Sequence, residues 1–384
     1  MSASRNLQRG FTLVELMVAV VVGMALTLAI TTIMTRYESG RRVLTASNDL
    51  SLTSAYLSFE LDRQLRSAGS GYAQGSELFG CMLRVSRSGA VILPRPGTFP
   101  APFNTVDTSP RLIPLVIHAG AGTGGSDVLA VMTGASALGE TAIDIKPTST
   151  TDTSLRMQNT VGIVGNDLVL VGEPALGCMV QQVAANFVGG ATELLSLAGD
   201  YAAAQSGTLR LTDFSTNADP TKAFVLGNTV GRPPQLQLIG VGANATLVSL
   251  DMLKLDNTDT VLPLANGVLD LRALYGVDSD ADGSVDSWVA PGAANFTAAA
   301  LSDGSAAAQT RLRSILAVRV GVILRSDRVE KDAVSPTTVV LFSDMAAGVQ
   351  HTRTLSADER YQRIRGVEFT VPLRNMMLSS RQKL

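Results

Sequence analysis

Asp278, Asp280, Asp282 and Asp286 occupy positions 1, 3, 5 and 9 of one short stretch, with Gly283 at position 6. Carboxylates at alternate positions, followed by a glycine at the sharp turn, form the EF-hand loop pattern. In that pattern position 7 lends its main-chain carbonyl, and Ser284 stands there. An all-oxygen set suits Ca²⁺ better than a transition metal. The pattern departs at position 12, where Val289 replaces the bidentate glutamate, and no helical periodicity flanks the loop. Two readings therefore stand: a Ca²⁺ loop of Asp278, Asp280, Asp282, Ser284 and Asp286, or an Asp/Gly-rich surface turn without metal. Mutual repulsion of four acids favours the cation. Beyond Ca²⁺ the sequence calls for no cofactor.

The remaining reactive residues are sparse. Cys81 and Cys178 are the two cysteines, outside any C-x-x-C arrangement, and with two histidines a zinc site is not expected. Outside the cytoplasm the pair would form one disulfide closing a loop of about 100 residues, for which chain entropy gives up to ~4.7 kcal/mol. The alternative is two buried thiols. His118 and His351 are isolated, and G-x-S-x-G, P-loop lysine and H-E-x-x-H motifs are all missing. The glycines of 120–125 precede no clear helix, so they make no phosphate cradle. The chain reads as no enzyme. Nor is a nucleic-acid partner expected: 31 basic against 33 acidic residues give a net charge of −2. Arg353, Arg360, Arg363 and Arg365 cluster, but Asp358 and Glu359 interrupt them, as on a solvated face.

Glu15 is the third chemical feature. It is the one charged residue in an apolar run over 11–34. At 1.5 Å per residue this run measures about 36 Å, enough for a bilayer core of about 30 Å with some tilt. It is too long for an ordinary secretory signal and lacks a small-x-small cut site. It is therefore expected to be retained, with Arg5 and Arg9 holding the N-terminus in the cytoplasm and the rest of the chain on the outer side. A carboxylate within such a run costs a few kcal/mol on insertion scales and marks a functional position.

Gly10-Phe11-Thr12-Leu13-Val14-Glu15-Leu16, behind a basic leader and ahead of the apolar run, resembles the type IV prepilin signature. The resemblance implies a leader peptide at 1–10, cut by a prepilin peptidase between Gly10 and Phe11. It implies N-methylation of Phe11, and pairing of Glu15 with the terminal amine of a neighbouring subunit. Two charges that each cost energy alone in lipid can neutralise each other during assembly.

These residues need elements to position them. The run 11–34 reads as a transmembrane or filament-core helix. Residues 35–68 continue it amphipathically: Leu50, Leu57, Leu61, Leu65 and Ala68 share one helical face, and Gly69-Ser70-Gly71 stops the pattern. Two separate helices would satisfy the same pattern. Residues 69–384 are punctuated by Gly and Pro. Apolar runs at 112–118, 127–133, 167–173, 178–183, 235–241, 246–255, 261–274, 315–324 and 338–342 read as strands, with a proline-rich loop at 94–110. The expected fold is α+β: a long N-terminal helix packed on a β-rich, pilin-like head with an inserted subdomain at about 85–260.

Three segments resemble PilW-type minor pilins: Phe59-Glu60-Leu61-Asp62-Arg63-Gln64-Leu65-Arg66-Ser67-Ala68-Gly69 with Gly80-Cys81, Tyr275 through Gly283, and Val367-Glu368-Phe369-Thr370-Val371-Pro372-Leu373-Arg374-Asn375. The resemblance implies a single-pass subunit of the inner membrane, with its head in the periplasm, that moves to the pilus tip. Its implied partners are other minor and major pilins and a tip adhesin. Its implied roles are pilus assembly, twitching motility and adhesion. Two alternatives remain at this stage: a pseudopilin of a type II secretion system, and a membrane-anchored binding or adhesion protein that never polymerises.

Overall fold

The computed structural model describes residues 12–135, 141–146, 150–190, 192–215, 221–256 and 258–381. The chain divides into two compact units, Met1–Leu52 and Thr53–Leu384. A single helix runs Leu13–Arg66, so the apolar run and the striped segment form one element rather than two. Its sequence contains no proline to interrupt the hydrogen-bond ladder. Thr12 caps its start, accepting a hydrogen bond from the Glu15 backbone N–H at 3.3 Å on its Oγ1. Arg63 and Arg66 sit in the last turn, where the helix dipole favours cations. Gly69 then takes φ +78° and ends the run.

Within the first unit the apolar side chains over 13–37 are exposed, Leu13 by 76% and Val20, among the more covered, by 47%, while Ala46 and Leu50 further along are buried. The threonines of this stretch turn their hydroxyls inward. Thr27 Oγ1 donates to the Gly23 carbonyl at 3.1 Å, Thr31 Oγ1 to Thr27 at 2.9 Å and Thr32 Oγ1 to Leu28 at 2.7 Å. Such back-bonding satisfies a hydroxyl where no water can reach it.

In the second unit the striped face does what its spacing predicts: Leu57, Leu61, Leu65 and Ala68 are all buried. The chain leaving the helix is pinned at once, with Gly69 N–H and the Tyr72 hydroxyl both donating to the Met132 carbonyl, at 2.9 and 3.1 Å. Three larger sheets follow. A six-stranded sheet runs in the spatial order Ala90–Leu93, Leu83–Arg87, Gly177–Gln182, Asp167–Glu173, Lys222–Asn228, Ile143–Asp144. It is antiparallel except for one parallel pair, in which Leu83 faces Cys178. A five-stranded antiparallel sheet has the order Leu262–Asn266, Thr246–Asp251, Gln235–Val241, Val128–Thr133, Leu115–His118. A four-stranded antiparallel sheet has the order Ser287–Val289, Val268–Val277, Ile315–Val329, Gln362–Pro372. The α+β class follows directly.

Val128–Thr133 and Gln235–Val241 are neighbours in one sheet, yet the chain between them builds a separate core. Ile143, Leu155, Val169, Val171, Met179 and Val225 belong to it. A second cluster gathers Leu269, Ile323, Leu341 and Phe342 around the four-stranded sheet.

The strand pattern corrects the sequence reading in places. The expected strand at 261–274 is two strands, Leu262–Asn266 and Val268–Val277, parted at Gly267, whose φ is +77°. A residue there with φ in the left-handed region cannot continue a pleat. The run at 112–118 is paired only from Leu115, because Pro114 has no N–H to offer a ladder. Lys222–Asn228 and Gln362–Pro372 were not anticipated. The second is a charged edge strand of eleven residues, held by ten residue pairs with Ile315–Val329 rather than by its own composition.

Candidate functional site

Two regions carry the chemistry. The first is the start of the long helix. Gly10 and Phe11 lie outside the described residues. Glu15 is exposed, third in the helix that begins at Leu13 and within its first turn. The helix dipole there favours a negative charge, and Thr12 three residues earlier supplies the cap. Around Glu15 the helix holds an eighteen-residue window of mean hydropathy 2.5. Local structure thus makes the carboxylate tolerable without hiding it.

The second region is the loop of the hairpin formed by Val268–Val277 and Ser287–Val289, in which Gly276 faces Trp288. The indole lies over the bare Gly276 backbone, where an added Cβ would come 2.9 Å from the ring. Asp278, Asp280 and Asp286 each bring a carboxylate oxygen to within 4.8 Å of the others. Asp282 stands outside this group: its Oδ1 accepts from Ser284 N–H at 2.7 Å. Asp286 Oδ2 accepts from both the N–H and the hydroxyl of Ser279, each at 2.7 Å. These bonds hold its carboxyl below its usual range. Three of the four expected aspartates converge, then, and the fourth serves the turn. The acidic cluster can hold a metal ion.

The cysteines meet. Cys81 and Cys178 form a disulfide with Cα atoms 5.7 Å apart, across 97 positions of sequence. Both are buried. The bridge lies beside the parallel strand pair, where Cys178 N–H also donates to the Met82 carbonyl at 3.1 Å. Gly80 before it takes φ +85°, and a Cβ there would fall 2.6 Å from Gly304 Cα. A side chain at Gly80 has no room.

A polar knot went unread in the sequence. His351 Nε2 lies 2.9 Å from Asp270 Oδ2, Arg272 Nε 3.0 Å from Asp270 Oδ1, and Arg272 NH1 3.5 Å from Asp127 Oδ1. Burial raises the Asp270 carboxyl, but the His351 hydrogen bond and the Arg272 charge outweigh it and hold it below its ordinary value. Burial dominates at Asp127 and raises it, against hydrogen bonds from Gly120 and Ala273 and the Arg272 charge. The knot joins the start of the inner strand Val128–Thr133 of the five-stranded sheet to the four-stranded one, since Asp127 N–H donates to the Leu271 carbonyl at 2.8 Å. Arg353 and Arg363 of the basic cluster are likewise half-buried and paired, with Glu359 at 2.8 Å and Glu330 at 3.0 Å. Two of the four arginines are therefore in structural ion pairs, while Arg365 is exposed as a solvated face requires.

His118 gives a testable consequence. Burial lowers its imidazole to about 4, against the opposing charge of Asp107. The unfolded chain takes up this proton near pH 6.5, the folded one only near pH 4, so stability falls as pH drops through that window. The side chain is half-buried, which limits the effect to about 2 kcal/mol between pH 7 and 4.5. His118→Gln should remove this contribution. Denaturant midpoints of the two proteins, measured from pH 7 to 4.5, should converge or cross. Parallel curves would show that His118 titrates normally.

Two family models match the sequence. One, described as a prokaryotic N-terminal methylation motif, covers residues 5–31. The other, described as type IV pilus-assembly protein W, covers residues 237–375. Both matches support a PilW-type type IV pilus pilin. The second match takes in the acidic hairpin, the four-stranded sheet and most of the C-terminal segment, while Phe59 through Gly69 falls outside both. No curated protein and no solved structure matches the chain. The exposed apolar helix is the part suited to membrane anchoring and to contact with pilins.

Proposed function

We propose that this pilin is a minor one, which primes assembly of a type IV pilus and remains at its tip. Before assembly it sits in the inner membrane with its head in the periplasm. A prepilin peptidase cuts between Gly10 and Phe11, and Phe11 becomes the N-methylated terminus. The apolar helix then passes from lipid into a bundle of like helices. Packing between subunits replaces lipid contact, and Glu15 neutralises a neighbour's terminal amine. The head makes contacts with other minor and major pilins and with a tip adhesin, and twitching motility and adhesion follow from the filament. The role is structural, not enzymatic.

The observation that carries this reading is the lone acid, capped and exposed, at the start of an otherwise apolar exposed helix inside a methylation motif. A simple anchor has no use for it. Intact-mass and terminal-peptide mass spectrometry of the protein from membranes should show a chain beginning at N-methylated Phe11. A chain that keeps residues 1–10, or one that has lost the whole apolar run, overturns the proposal. Immunogold labelling should then mark one end of purified filaments. Absence from filaments together with a secretion defect on deletion would favour a type II pseudopilin.

A further inference from the structure

We propose that the head binds one Ca²⁺ ion through Asp278, Asp280 and Asp286, a set of three carboxylates rather than the full EF-hand set. The spacing of the ligand atoms fits one ion. Ca²⁺ sits about 2.3–2.6 Å from each oxygen, so ligands around a single ion lie no more than about 5 Å apart. The three carboxylate oxygens here lie within 4.8 Å of one another.

Independent support comes from Asp278 itself. It is only 5% exposed. Its Oδ2 accepts from Gly283 N–H at 2.9 Å, and its Oδ1 is buried with no hydrogen-bond partner. A buried carboxylate oxygen left unpaired is costly, and it is rare in folded proteins unless an ion or water completes it. No Lys, Arg or His among the described residues forms an ion pair with Asp278, Asp280, Asp282 or Asp286; the cationic side chains in ion pairs are engaged elsewhere. A divalent cation supplies both the missing partner and the missing charge.

The chemistry selects the ion. Three carboxylates offer only oxygen, which disfavours transition metals. The ligand atoms lie on one nine-residue loop with no all-protein octahedron, while Mg²⁺ demands a tight octahedron at about 2.0–2.1 Å and keeps its water. Loss of Asp282 and of the position-12 glutamate leaves a low-affinity site, in the range of about 0.1–1 mM typical of extracellular modules. The consequence is mechanical. Asp278 directly follows the strand Val268–Val277, and Asp286 directly precedes Ser287–Val289. One ion bridging them clamps the mouth of the hairpin. Asp278 N–H also donates to the Ser314 carbonyl at 2.9 Å, at the end of the helix Ala306–Ser314, so the clamp extends to that helix.

The test uses Tb³⁺ as a Ca²⁺ substitute on the full chain in detergent. Trp288 is the chain's one tryptophan and stands two residues after Asp286, so indole excitation reports an ion in this loop and nowhere distant. Sensitised Tb³⁺ emission should appear, should be displaced by millimolar Ca²⁺ and should resist equal Mg²⁺. Millimolar Ca²⁺ should also raise the melting temperature by about 3 °C. Asp280→Asn, at an exposed ligand, should weaken Tb³⁺ binding at least tenfold with the melting temperature in chelator unchanged. Asp278→Asn should do the same wherever it folds. Asp282→Asn should keep wild-type emission. No sensitised emission, or emission unaffected by Asp280→Asn, overturns the site; equal losses in Asp282→Asn and Asp280→Asn overturn the three-ligand assignment. These outcomes do not depend on whether the chain caps a filament.

Discussion

Replacing Glu15 with leucine should leave the chain in the membrane and remove it from the filament. The substitution takes a charge out of the most apolar stretch of the helix, so insertion becomes easier; the cost removed is up to about 3 kcal/mol, less near the helix end. The Thr12 cap uses the Glu15 backbone N–H, not its side chain, so the helix start survives. Assembly responds in the opposite direction. In a bundle of apolar helices the terminal ammonium of a neighbour would lose its only counter-charge. Breaking one partner of a buried pair costs about 3–5 kcal/mol, or a hundredfold or more in incorporation. Immunoblots of sheared filaments and of washed membranes measure both arms. The expected result is a signal kept in membranes and reduced about a hundredfold in filaments, with Glu15→Gln intermediate because its amide is uncharged but polar. Wild-type incorporation of Glu15→Leu would sink the pairing mechanism.

The second large effect concerns the head. Removing both cysteines, as Cys81→Ser with Cys178→Ser, should lower its stability by about 2–5 kcal/mol. The bridge spans 97 positions, and a closed loop of that length removes about 4.7 kcal/mol of unfolded-chain entropy in the simplest model. It also holds together a parallel pairing, Leu83 against Cys178, whose two strands are far apart in sequence and must pay a large closure entropy to meet. Because both sulfurs are buried, each serine must also find a partner for its hydroxyl. The melting temperature should fall by about 5–15 °C, and reductant should reproduce most of the shift in the wild-type chain but none in the double variant. A wild-type melt indifferent to reductant would show that the bridge contributes nothing.

Both predictions rest on residues that could be picked out by type alone, and the same is true of much of the fold. Leu57, Leu61, Leu65 and Ala68 announce a buried helical face through their spacing, because helix periodicity is a local geometric property. Strands Asp167–Glu173 and Gln235–Val241 lie where short apolar runs placed them. Glu15 and its motif are legible for a similar reason: a charge within an apolar run of membrane length is conspicuous whatever surrounds it.

Tertiary structure decided the rest. Gln362–Pro372 is a strand because Ile315–Val329 offers it a register, not because its alternating charges ask for one. The chain between Val128–Thr133 and Gln235–Val241 makes its own core while those two strands pair with each other. Asp270, Arg272, His351 and Asp127 meet across 224 positions of sequence, from Asp127 to His351, and none of them signals the meeting. In the acidic loop the sequence set the ligand type, and the fold chose which three carboxylates converge and buried Asp278 among them. The physical reason is common to all four cases. Periodicity, capping and turn chemistry act within a few residues and are written in order along the chain. Strand partners, buried ion pairs and convergent ligands depend on which distant segments the collapsed chain brings together, and local composition does not encode that.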